Sequence, residues 1–218
     1  LSVVSGGSLS AGSLSNSGSL NVSGSLNAGS LSNSGDAYIS GAAGVSGAAS
    51  NSGNLSVTGT LSAGSLNNTG DAYISGRADI SGAADNSGNL NVNGELNSAS
   101  LTNSGAMGGA GTIYADVINR GIISPGNSID TLTVDGSVSF EQGSTLQAEI
   151  ASNGDCDLLA VSGPVTINGG AISTYLPQAL YVNGTSWDVI SADGGVSGIF
   201  DAIQGQPDSE VLSLVQAN

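Results

Sequence analysis

Along the first half of the chain, apolar and small polar residues alternate in short runs, and the runs recur. In residues 16–32 the apolar positions are Leu20 and Val22, then Leu26 and Ala28, then Leu31; in 33–50 they are Ala37 and Ile39, Ala43 and Val45, then Ala48. A period of two puts alternate side chains on opposite faces of a strand, so each stretch predicts three short strands with one face turned inward. Glycines near positions 18, 24 and 29 separate these strands and are expected to mark corners with backbone angles that other residues avoid. The density of glycine and the lack of a 3.6-residue period argue against helix.

An asparagine followed by any residue and then glycine keeps the runs in register. It stands at Asn16, Asn33, Asn51, Asn68, Asn86, Asn103 and Asn119, with gaps of 17, 18, 17, 18, 17 and 16 residues. Such a period is the mark of a solenoid in which each unit is one rung. The underlying repeat is a double one: 16–50 is copied in 51–85, and a third copy opens at Asn86 and degrades from Asn103. The pattern predicts an all-β, single-stranded, right-handed parallel β-helix with three faces, its rungs 17–18 residues long in the N-terminal half. A left-handed hexapeptide helix would suit the interval from Leu20 to Leu26, but Leu26 to Leu31 breaks that register. Rungs stack about 4.8 Å apart, so the asparagines are expected to lie one above another, each carboxamide donating to one neighbour and accepting from the other. Asparagine also favours turns, and both roles can hold together.

Composition narrows the partners. Glycine is 35 of 218 residues, roughly twice the average, yet the 39% of hydrophobic residues recur in register, which disordered linkers do not show. The net charge is −15, from 17 acids against Arg77 and Arg120, with no lysine; five acids lie in 1–105 and twelve in 106–218. Nucleic acid and anionic membranes, which need clustered cations, are disfavoured. Cys156 is the single cysteine, so no internal disulfide forms, and the scarcity fits a compartment where stray thiols are avoided or arises by chance. The chain opens in mid-repeat at Leu1, which points to a longer parent.

From Asn119 the character changes. Gly121-Ile122-Ile123-Ser124-Pro125-Gly126, Leu132-Thr133-Val134-Asp135-Gly136 and Gly143-Ser144-Thr145-Leu146 are followed by Asp157-Leu158-Leu159-Ala160-Val161-Ser162-Gly163. After these come Trp187-Asp188-Val189-Ile190 and Gly195-Val196-Ser197-Gly198-Ile199-Phe200-Asp201. This ordered set resembles the C-terminal part of autotransporter passenger domains, and the upstream repeats are similar to those of bacterial adhesins. The resemblance implies repeat rungs over 1–118 and a capping, folding-promoting segment over 119–218, with Trp187, Val189, Ile190 and Phe200 as core and capping residues. It implies display at the surface of a Gram-negative bacterium, and an outer-membrane β-barrel that would follow Asn218. A cap is physically reasonable, since an open solenoid end is an unpaired strand edge.

Catalysis finds little support. Without histidine or lysine, neither a Ser-His-Asp arrangement nor a Ser-Lys dyad is available. Asp155 and Asp157 are close in sequence and read as solvated loop acids rather than a glycosidase pair. Gly108-Gly109-Ala110-Gly111 runs into Thr112, and Gly194-Gly195 precedes Asp201 by too many residues, so the calcium-binding glycine-aspartate turn is missing. No cofactor or metal is expected. The outward faces carry more. Asp36 and Tyr38 recur as Asp71 and Tyr73, between inward residues, so two acid–tyrosine pairs are expected to share one exposed face about 10 Å apart. Arg77 aligns with Glu95 on the following rung. The expected function is a non-enzymatic adhesive stalk that self-associates or meets a neighbouring or host cell surface or a glycan. Glycan or ice binding by a flat solenoid face is the alternative, as is a scaffold for an enzyme whose catalytic domain lies upstream.

Overall fold

A computed structural model of the chain describes residues 1–175 and 186–205. They form an all-β parallel solenoid, and no helix occurs among them. Each turn contributes one strand to each of three faces. The first face is an eleven-stranded parallel sheet that includes Ser19–Val22, Asp36–Ile39, Asn54–Val57, Asp71–Ile74 and Asn89–Val92. The second and third faces join as one sixteen-stranded sheet, because strands such as Ala42–Asn51 and Arg77–Asn86 run round the bend between them without a break. Eleven strands at about 4.8 Å per step give a rod roughly 48 Å long.

Strict register explains the repeat. Leu20, Leu26 and Leu31 fill one layer; Ala37, Ala43 and Ala49 lie directly above them, then Leu55, Leu61 and Leu66, then Ala72, Ala78 and Ala84, then Leu90, Leu96 and Leu101. All of these are buried. Leucine layers thus alternate with alanine layers, and a second inward row compensates, Val22, Val57 and Val92 in the leucine layers against Ile39 and Ile74 in the alanine layers. Large over small fills the core at native density without overlap, which is why the true period is two rungs. The sequence expectation needs one correction here: Ala48 is exposed and Ala49 takes the inward place. The additional residue of the 18-residue rung sits at the bend between the second and third faces, where Gly47 stacks on Gly29 and the pairing shifts by one.

The corner glycines also differ from expectation. Among the repeats Gly18, Gly24, Gly29, Gly35 and Gly41 do not have positive φ. They are needed because the corners stack closely: a Cβ at Gly35, Gly41 or Gly59 would lie well under 3.0 Å from the glycine carbonyl oxygen one rung below. At the corners on either side of the first face one carbonyl accepts two successive amides from the next rung, as Val22 O does from Ser40 N and Gly41 N, both at 2.9 Å.

The parallel ladders pass from the repeats into the C-terminal half through Val117–Asn119, which pairs with Leu101–Asn103 before it and Val138–Phe140 after it. Beyond it the rungs lengthen: on the first face Ile122, Thr145, Ala171 and Ala202 are register partners, 23, 26 and 31 residues apart. The stretches 176–185 and 206–218 of the expected capping segment, Asn218 included, lie outside the described residues.

Replacing Gly59 with alanine forces a Cβ into backbone and is expected to cost about 1–3 kcal/mol, whereas Gly18→Ala, with open space around it, is expected to leave stability unchanged. Denaturant midpoints of the two variants decide the matter; equal midpoints would show that close stacking does not select glycine.

Candidate functional site

The seven asparagines sit at the corner that joins the third face to the first. All are buried, between 0% and 8% exposed. Asn16 Nδ2 donates to Asn33 Oδ1 at 2.7 Å, and the chain continues through Asn51, Asn68, Asn86, Asn103 and Asn119 with every step at 2.7 or 2.8 Å. All six bonds run in one direction. Each donating amide also reaches two backbone carbonyls: Asn33 Nδ2 meets Gly35 O at 2.9 Å in its own rung and Asn54 O at 2.8 Å in the next. The two N–H groups are therefore shared among three acceptors, and the corner carbonyls that the turn leaves inside find a donor. At Asn119 the column changes chemistry. Its next occupant is Phe140, fully buried, then Ile167.

Phe140 also meets Phe200 edge to face, with ring centroids 5.2 Å apart and planes at 71°. Phe200 is buried; Trp187, Val189 and Ile190 are half-buried. Val189 and Ile190 pack against the core, and Trp187 Nε1 donates to Ala151 O at 3.0 Å. All four fall within one long turn, between the register partners Ala171 and Ala202, and tie it to the rungs before it.

The first face carries the outward acid–tyrosine pairs. The register runs Ser19, Asp36, Asn54, Asp71, Asn89 in one row and Asn21, Tyr38, Ser56, Tyr73, Asn91 in the other. Tyr38 is 44% and Tyr73 45% exposed. Asn54 Nδ2 donates to Asp36 Oδ1 at 2.7 Å and Asn89 Nδ2 to Asp71 Oδ1 at 2.6 Å, so a carboxamide separates each carboxylate from the next. Thr58 Oγ1 donates to Tyr38 Oη at 3.3 Å, which tilts that ring over the adjacent rung. A shallow groove of about 480 Å³ lies between these side chains. A larger concavity, about 900 Å³, follows the bend between the second and third faces; it is lined by small residues such as Ser10, Gly29 and Ser62, with Asp79 and Asn97 towards one end. Beside it Arg77 bridges Asp79 in its own rung at 2.8 Å and Glu95 in the next at 2.6 Å.

Asp157 corrects a sequence expectation. Asp155 is exposed as expected, but Asp157 is buried, with Oδ1 accepting from Asp130 N at 3.1 Å and Oδ2 from Glu149 N at 2.8 Å. It clamps two loop backbones and is no solvated acid. Burial pushes its pKa up, against the pull of those amides. Cys156 is half-buried, and burial with Asp157, Asp188 and Asp155 nearby raises its thiol pKa, which favours the protonated thiol. No group of three or more metal-ligating side chains occurs among the described residues.

Asn51→Ala strands Asn68 Oδ1 without its donor and removes one from Gly53 O and Asp71 O; a loss of about 1–3 kcal/mol is expected. Asn51→Asp keeps the shape but sets oxygens against oxygens and is expected to cost more; unchanged melting curves would discard the ladder's role. Asp116 accepts from Ser137 N and Oγ through Oδ1, both at 2.8 Å, and these bonds hold its pKa below the usual value, backbone amide first. Its contribution to stability is present above the ordinary carboxylate range and lost as pH falls through the lowered value. Asp116→Asn retains Oδ1 as acceptor, so stability measured against pH is expected to flatten on the acid side; an unaltered acid limb would contradict this.

No family model matches this chain. Across 107 residues it is 31% identical to an extracellular serine protease of Serratia marcescens, an alignment that covers 44% of this chain and 10% of that protein. The chain thus corresponds to a small part of its relative's length. What the comparison supports is a β-solenoid segment distantly related to a secreted bacterial protein.

Proposed function

We propose that this chain is the rigid stalk and C-terminal cap of an autotransporter passenger, displayed at the surface of a Gram-negative bacterium, where it holds an adhesive surface away from the cell. The observation that carries the reading is the continuity of three parallel ladders over about ten steps with a directional asparagine column along one corner. Such a rod transmits length and stiffness, because each rung is fixed by the one before it. The distant relation to an extracellular protein supports secretion. The ordered motifs from Gly121 to Asp201 support the autotransporter reading, with the membrane β-barrel as the anchoring partner. Residues 119–218 serve as the cap, where longer rungs and the Phe140–Phe200 contact replace the uniform repeats. No reaction is assigned to the chain itself. Self-association would favour residues 1–105, where acids are few.

A second reading is favoured by the protease relative: the same stalk would then support a catalytic domain elsewhere in the parent protein. Both readings make the segment structural and differ only in what it carries.

The capping role is tested by comparing the full chain with residues 1–118 alone. The shorter chain is expected to aggregate or to lack a β-sheet circular dichroism spectrum, since it ends in open strand edges. A soluble, monomeric and folded 1–118 would refute the cap.

A further inference from the structure

We infer that the first face of the repeats is a binding site for an extended, uncharged oligosaccharide laid along the solenoid axis across Tyr38 and Tyr73. The inference rests on the reading of the chain as an adhesive stalk and names what that stalk holds.

Three observations converge. The first is periodic aromatic spacing. Tyr38 and Tyr73 stand two rungs apart with Ser56 between them, roughly 10 Å, about the length of one disaccharide. Each is nearly half exposed in a strand row that is otherwise Asn and Ser. Half-exposed rings give the apolar faces on which the C–H side of a pyranose stacks. Ser56 between them is small, and the Tyr38 ring, held by its hydroxyl contact to Thr58, leans over that step towards Tyr73.

The second is the polar row beside the rings. Asp36, Asn54, Asp71 and Asn89 alternate acceptor and mixed donor–acceptor groups at the rung period, and the bonds from Asn54 and Asn89 hold the carboxylate Oδ1 atoms in place. Each carboxylate keeps its second oxygen and the remaining lone pairs for hydroxyl donors. A polyhydroxyl ligand matches that row. Acids with no cation in the groove repel polyanions, and the backbone groups of the strands are already paired with adjacent rungs, so an extended peptide gains no sheet edge to add to.

The third is that the face has an end. The next position in the tyrosine row after Asn91 is Gly108, and the loop after Pro125 folds back towards it. Gly126 bridges Gly109 in antiparallel sense. Asn91 Nδ2 donates to Asn127 Oδ1 at 3.2 Å, and Asn127 Nδ2 donates to Asn93 Oδ1 at 2.5 Å. The groove therefore runs from Ser19 to Asn91 and stops against Asn127, which bounds it at four rung steps, roughly 19 Å. A stretch of about four sugar units fits that span.

The test titrates the full chain with cellohexaose, chitohexaose and the corresponding disaccharides, and with polygalacturonate as the anionic probe, by isothermal calorimetry. Saturable binding of a neutral hexasaccharide is expected, at least tenfold tighter than its disaccharide. Tyr38→Ala or Tyr73→Ala is expected to weaken it roughly tenfold each, with circular dichroism unchanged. Saturation transfer from the hexasaccharide C–H protons to tyrosine ring protons is expected in the unaltered chain. Absence of saturable binding to both neutral hexasaccharides, stronger binding of polygalacturonate, or affinity that survives both tyrosine changes would each overturn the proposal. None of these outcomes bears on the cap, whose truncation test needs no sugar, so the two readings fail separately.

Discussion

Every side chain in the repeats must tolerate an equivalent position about 4.8 Å above and another below. Most residue types fail that condition somewhere, and the composition of the chain follows from how each position meets it. A corner that turns sharply brings carbonyl over Cα, and only glycine has nothing to place there. A buried polar corner needs a group that complements itself. The carboxamide, donor and acceptor in one plane, does so, and six bonds of 2.7–2.8 Å in one direction are the result.

Positions that cannot stack on themselves alternate instead. Leucine on leucine through three faces would overfill the core, so alanine layers intervene and the repeat doubles. The exposed row of the first face obeys the same logic with charge. Carboxylates in successive rungs would face each other across one step; Asp36 and Asp71 are instead separated by Asn54, which doubles the distance and supplies a donor. One 35-residue period thus serves packing inside and electrostatics outside. In the C-terminal half the rungs lengthen and the uniformity ends. There the ladder column passes to Phe140, and individual side chains such as Asp157 and Asp116 clamp the longer connections.

Much of this is legible in the residues themselves. Asn-x-Gly at a steady interval sets the register, and with it the alignment of Asp36 and Tyr38 over Ser19 and Asn21 and of Arg77 with Glu95. Ala49 was legible as well: it lies two residues before Asn51, as Leu31 lies two before Asn33, but counting forward from the strand before the bend between the second and third faces leads to Ala48. The reason for the glycines is not written in their frequency, because a close approach between rungs and a positive φ select the same residue. Asp157 eludes local reading since its partners are backbone amides at Asp130 and Glu149, brought together only by the long rungs. The end of the tyrosine groove depends on a loop that folds back to Asn91 and Asn93, and nothing near Asn127 signals where it goes.

The most direct measurement of this account is hydrogen exchange at the asparagine side-chain amides, followed by NMR in the intact chain. Asn33, Asn51, Asn68, Asn86 and Asn103 are predicted to exchange only with opening of the rod, orders of magnitude slower than the exposed amides of Asn27 and Asn54. Ladder amides that exchange as fast as the exposed ones would show that the self-complementary column is not what holds the rungs in register.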